Sequence, residues 1–138
     1  MKNLYTAKST SKGGRNGHVK SEDGIIDLDV TMPKSLGGDG AKGTNPEQLF
    51  ASGYSACFGS ALGLVARKQN INPGPFNITG EVSLYATDTG AYKLGVKLVG
   101  AFPELDREKA QALMAAAHQV CPYSNATRGN IEVELSVA

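Results

Sequence analysis

The feature that most constrains this chain is an uncharged run over residues 49–66, LFASGYSACFGSALGLVA. Its eighteen residues reach the lower limit for a membrane span, but three glycines and three serines interrupt it. A helix apolar nearly all round suits the interior of a core better. Its start is signposted: Thr44 or Asn45 can cap, Pro46 fits the first turn, and Glu47 sits at the positive end of the helix dipole. Thr44-x-x-Glu47 also matches a capping box, and NINPGP should stop the helix after about Gln69. Ala51, Ser55, Gly59 and Gly63 recur at four-residue steps, so a second backbone can approach closely, from this chain or from another copy. Such a helix needs cover on every side, which a few short strands supply poorly. A homo-oligomer is expected.

The remaining pattern is mainly strand-like. Residues 17–30, GHVKSEDGIIDLDV, predict a hairpin turning at Glu22-Asp23-Gly24, with Ile26, Leu28 and Val30 alternating with Asp27 and Asp29. A weaker strand is expected around residues 4–9. Residues 31–45, TMPKSLGGDGAKGTN, have no period and predict a long loop, mobile at the rim of a site. Phe76, Ile78, Val82 and Leu84 define one strand face and Tyr92, Leu94, Val96 and Leu98 another, joined through TDTG. A second helix begins near Asp106 with Ala110, Leu113, Met114, Ala117 and Cys121 on one side. NIEVELSV closes the chain as a strand. The expected order is three strands, helix, two strands, helix, strand: an α+β class with antiparallel sheets, in one domain over residues 1–138.

A formal charge of +1 leaves no basic footprint for nucleic acid. The beginning MKNLYTAKSTSKGG has no apolar signal-peptide core, so a cytoplasmic location is expected. Cys57 and Cys121, and His18 and His118, have no metal-ligand spacing.

For the polar and thiol residues the chain alone leaves two accounts open. Cys57 lies among Phe50, Tyr54, Ala61 and Leu64, surroundings that favour the neutral thiol, so it is an inert filler unless a cation reaches it. Cys121 precedes Pro122 and either ends a helix or is a second thiol at a flexible spot. Arg15, in KGGRNGH, is either a solvated turn residue or a cation whose flanking glycines let the backbone lie against a neighbour. Glu47 has its capping role as an alternative to a site role. His18 and His118 suit structural roles, and Arg128 is a second candidate cation, placed for a helix-end contact.

GGRNGHVKSEDG, GTNPEQLFASGYSACF and VCPYSNATRGNI, in this order, resemble the organic hydroperoxide resistance branch of the OsmC-like superfamily along essentially the whole chain. The resemblance implies an OsmC-like fold, with antiparallel sheets wrapped around long central helices in an intertwined homodimer whose two sites lie at the subunit interface. It implies that Cys57 is the peroxidatic cysteine and Cys121 the resolving cysteine, that Arg15 stands beside the thiolate, and that Glu47 holds Arg15. It further implies organic hydroperoxides as substrates, lipoylated proteins of the dihydrolipoamide type as reductant, and no metal or haem.

One geometric conflict follows. Glu47 and Cys57 stand ten residues apart, about 15 Å and about 80° around a regular helix, too far for one arginine to bridge. Either the helix is interrupted between them, or the Glu47 and Cys57 of one site come from different subunits. The second is expected.

Overall fold

The computed structural model describes residues 1–138, which form two compact units, 1–49 and 50–138. The first unit is a three-stranded antiparallel sheet of β1 (Ser9–Lys12), β2 (Gly17–Ser21) and β3 (Asp27–Val30). The first strand begins at Ser9, later than the expected 4–9 stretch, where Leu4 and Tyr5 are exposed and leave no buried face to pair. A tight turn through Gly13 and Gly14, both at positive φ, joins β1 to β2 and presents Arg15. Gly17 is required by close approach, because a Cβ there would fall 1.8 Å from the Lys12 carbonyl oxygen. The β2–β3 turn lies where the sequence places it. Gly24 has φ 77°, and Asp23 accepts from the Ser21 hydroxyl at 2.6 Å and the Ile25 amide at 3.0 Å. The long connection after β3 contains a 3₁₀ turn, Lys34–Leu36, and is closed at its base by a Val30–Thr44 bridge.

The second unit carries most of α1 (Pro46–Lys68), then β4 (Asn77–Ala86), β5 (Tyr92–Ala101), α2 (Arg107–Val120), α3 (Pro122–Thr127) and β6 (Val133–Val137). β4 and β5 pair antiparallel over ten residues, but β6 pairs with β5 in parallel. The expectation of purely antiparallel sheets is therefore corrected. The two helices between β5 and β6 form a crossover that returns the chain to the same end, as a parallel neighbour requires. Asp106 caps α2 by accepting from the Glu108 amide at 3.0 Å. Ala110, Leu113, Met114 and Ala117 are buried on the predicted side.

α1 is one unbroken helix of 23 residues. Asn45 is its side-chain cap, accepting from the Gln48 amide at 2.8 Å. The expected Thr44–Glu47 capping box does not form, because the Glu47 carboxylate is engaged by Arg15 and the Thr44 hydroxyl donates to Gln48. Tyr54, Phe58 and Leu62 are fully buried and meet Val96 and Leu98 of β5 with Leu113 and Met114 of α2, each large side chain contributing about 1.5–3 kcal/mol by leaving water. The small-residue stripe is used within the chain. Gly80 of β4 lies so close that a Cβ on it would stand 3.0 Å from the Ala51 carbonyl, and Gly59 faces Phe76 and Ile78. Ser52, Ala56, Ser60 and Leu64, also at four-residue steps, remain exposed. By length and composition α1 is apolar enough to cross a membrane, with a third of its apolar window buried in this chain.

Candidate active site

Two pairs of the sequence-selected residues come together, one in each unit. In the first, the Arg15 guanidinium grips Glu47 as a fork: Nη2 donates to Oε1 at 2.7 Å and Nη1 to Oε2 at 2.8 Å. The β1–β2 turn supplies the arginine and the first turn of α1 the carboxylate. Both are partly sheltered, and the paired bonds hold the Glu47 carboxyl below its ordinary range and the Arg15 guanidinium above its own. A fork of this kind fixes the plane of the guanidinium while its remaining N–H groups stay available to a second anion.

In the second unit, Cys57 in the middle of α1 faces Cys121, with sulfur atoms 3.7 Å apart and both thiols free. Cys121 stands where it does because Pro122 disfavours helical geometry in the residue before it. Cys121 adopts φ −62°, ψ 125°, ending α2 and beginning α3, with Pro122 in the first turn. The expectation of a flexible spot is corrected: Cys121 is a fully buried joint between two helices, and the polar segment after it is a helix. Cys57 is only half-buried, so of the two thiols it is the one open to a reactant. Burial raises the Cys57 thiol above its ordinary value, the Tyr123 backbone amide partly opposes this, and the neighbouring Cys121 raises it again. Neither neighbour is a cation.

Phe50, Tyr54 and Tyr123 form an aromatic cluster with ring centroids 5.6–6.0 Å apart. Phe50 and Tyr123 also line a cavity of about 860 Å³, with Leu94, Ala126 and Ile131 among its other walls. Of the apolar neighbours expected around Cys57, Phe50 faces this cavity, whereas Tyr54 is sealed in the core and Leu64 points outward. Sequence reasoning missed Tyr123, whose ring walls the cavity beside Phe50. Ser124 and Thr127 stood out in the sequence only as polar residues following Cys121, suited to capping a helix end. Their hydroxyls lie on the Tyr54 phenol at 2.8 and 3.1 Å. His118 packs on Ser124, and Arg128 is spent on Asn125 and the His118 carbonyl. His18 is bound by Asp29 and Asp27, which raise its pKa.

Two three-stranded sheets with three α-helices, and two free thiols 3.7 Å apart at a helix joint, define an α+β protein with a paired-thiol site. The model of the OsmC-like protein family matches residues 37–136. The chain is 54% identical over 135 residues to the organic hydroperoxide resistance protein OhrB of Bacillus subtilis, covering 97% of this chain and 98% of that one. It is 47% identical to the organic hydroperoxide resistance protein of Xanthomonas axonopodis pv. citri, covering 98% and 95%. The crystal structure of an organic hydroperoxide resistance protein from Legionella pneumophila superposes with a TM-score of 0.93 at 54% identity, covering 99% of each chain. The chain belongs to the OsmC-like family, in its organic hydroperoxide resistance branch.

Proposed function

We propose that this protein is a cytoplasmic, thiol-dependent reductase of organic hydroperoxides that acts as a homodimer in defence against organic peroxides. The observation that carries the proposal is the 3.7 Å contact between a half-buried and a fully buried thiol. The Cys57 thiolate attacks the peroxide oxygen of R–O–O–H, the O–O bond breaks, and the alkoxide leaves as an alcohol after taking a proton. Cys57 is left as a sulfenic acid. The Cys121 sulfur then attacks the Cys57 sulfur, and the sulfenic oxygen leaves as water with the Cys121 proton. The sulfur atoms close by about 1.7 Å to reach disulfide length. A dithiol of the dihydrolipoamide type restores both thiols by exchange, becoming a disulfide itself. No metal or haem is needed in this cycle.

Burial alone would leave Cys57 a poor nucleophile, so the reading requires a cation. The Arg15–Glu47 fork is the prepared one. With α1 continuous from Pro46 to Lys68, an interruption between Glu47 and Cys57 no longer answers the geometric conflict. The arginine beside one Cys57 is therefore assigned to a second copy of the chain. The exposed stripe of Ser52, Ala56, Ser60 and Leu64 along α1 is open to close approach by a second copy and supports the homodimer. Neither cysteine lines the cavity, but Phe50 and Tyr123, two of its walls, belong to the aromatic cluster with Tyr54, and these rings would favour a substrate with an organic tail over hydrogen peroxide. Titration of the reduced protein with cumene hydroperoxide, followed by intact mass, tests the reading. It requires the loss of two hydrogens per chain and their return with dihydrolipoamide, and an unchanged mass refutes it.

A further inference from the structure

Beneath the two thiols lies a buried polar chain that the peroxide cycle above does not use. The Tyr54 phenol meets the Ser124 hydroxyl at 2.8 Å and the Thr127 hydroxyl at 3.1 Å. Ser124 meets His118 Nδ1 at 2.8 Å, and Thr127 donates to the Ser124 carbonyl at 3.2 Å. Tyr54 and Ser124 are fully buried. Each hydroxyl has one proton to give, so the Thr127 bond to the carbonyl sets the direction of all the others. Tyr54 then donates to Thr127, Ser124 donates to Tyr54, and His118 donates to Ser124 through Nδ1–H. Every hydroxyl gives once and accepts at least once, and no buried side-chain nitrogen or oxygen is left without a partner. Burial, with Arg128 nearby, lowers the His118 pKa and so favours the neutral ring, whose single proton this direction places on Nδ1.

The placement of this chain is specific. Tyr54 precedes Cys57 by three residues on α1, Ser124 follows Cys121 by three on α3, and His118 precedes Cys121 by three on α2. Three hydrogen-bonded side chains thus tie together the three helical turns that carry the thiol pair. α3 itself has six residues, too few to hold its place by helix propensity. Yet its N-cap is Cys121 itself, so the position of that thiol depends on where α3 sits.

We propose that Tyr54, Ser124 and His118 are positioning residues that hold Cys121 against Cys57, so that the sulfenic acid is resolved as a disulfide before a second peroxide reaches it. This rests on the thiol peroxidase reading and deepens it. The competing step balances separately: a second peroxide converts the sulfenic acid to a sulfinic acid and leaves as alcohol. Intramolecular attack wins only while Cys121 is held in contact, because its advantage is one of proximity.

The test is single turnover of the reduced full-length protein with excess tert-butyl hydroperoxide, quenched over time and read by intact mass. Products lacking two hydrogens are disulfide, and products carrying two added oxygens are sulfinic acid. Tyr54→Phe and Ser124→Ala should slow disulfide closure by about fivefold, the size of one ordinary buried hydrogen bond, and raise the sulfinic fraction at each peroxide concentration. His118→Ala should behave alike, whereas His118→Asn, which keeps a donor near the Nδ1 position, should keep the wild-type partition. A purely structural role would lower thermal stability without moving that partition. Wild-type partition in folded Tyr54→Phe and Ser124→Ala overturns the inference. Absence of any disulfide in the wild type overturns the underlying reading instead.

Discussion

Replacing Glu47 with Gln separates what the Arg15–Glu47 fork does for the fold from what it does for the chemistry. The wild-type fork has two charge-assisted bonds at 2.7 and 2.8 Å. Such bonds are each worth about 1.5–3 kcal/mol when sheltered. The Arg15 side chain is 33% exposed and that of Glu47 16%, so screening reduces the pair to about 1–2 kcal/mol. Gln keeps one acceptor and loses the charge, and the expected loss of stability is about 1 kcal/mol. The chemical cost should be larger. A guanidinium that is no longer held in plane misplaces its free donors by an ångström or so, and such an error costs up to about a hundredfold in rate. Stopped-flow oxidation of Cys57 by tert-butyl hydroperoxide, beside denaturant unfolding of the same variant, reads both quantities. Glu47 has a lowered pKa in the fold, so its contribution to stability is complete above the ordinary carboxylate value near 4.5 and is lost as pH falls through the lowered one. The variant should lack that component of acid unfolding. Lower stability with an unchanged oxidation rate would refute the assignment of the fork to the thiol.

Two further predictions concern assembly and core. Mixed dimers of Arg15→Ala and Cys57→Ser chains should recover activity that neither parent has, because one of their two sites then combines an intact Arg15 with an intact Cys57; inactive mixed dimers would place both residues of a site in one chain. Gly100→Ala would set a Cβ 2.6 Å from the Phe102 ring and 2.7 Å from the Met114 sulfur, both buried, and should cost about 1–3 kcal/mol, or about 3 °C in Tm for each kcal/mol; an unchanged Tm would contradict that packing.

How much of this was legible in the sequence differs from residue to residue. α1 was readable because its start carries Asn45 and Pro46 and its end meets NINPGP, signals that act through adjacent residues. The capping box at Thr44 and Glu47 was misread because local spacing does not register a competing partner 32 residues away. Alternation along Ile131, Val133, Leu135 and Val137 identified a half-buried strand face packed on the core but not its direction, which the two-helix crossover decides. Pro122 marked a break, as it does, yet the same ring also suits the first turn of a new helix, and α3 was overlooked. Cys57 and Cys121 stood out as the only thiols, and the family resemblance paired them. The hydroxyl chain beneath them had no such signal, since Tyr54 and Ser124 meet across 70 residues.

The most direct test of the central claim is peroxide titration of the reduced protein with intact-mass detection and peptide mapping. The account predicts that wild type loses two hydrogens per chain as a Cys57–Cys121 disulfide, that Cys121→Ser gains one oxygen on Cys57, and that Cys57→Ser does neither. Oxidation that persists in Cys57→Ser, or that begins at Cys121, would contradict it.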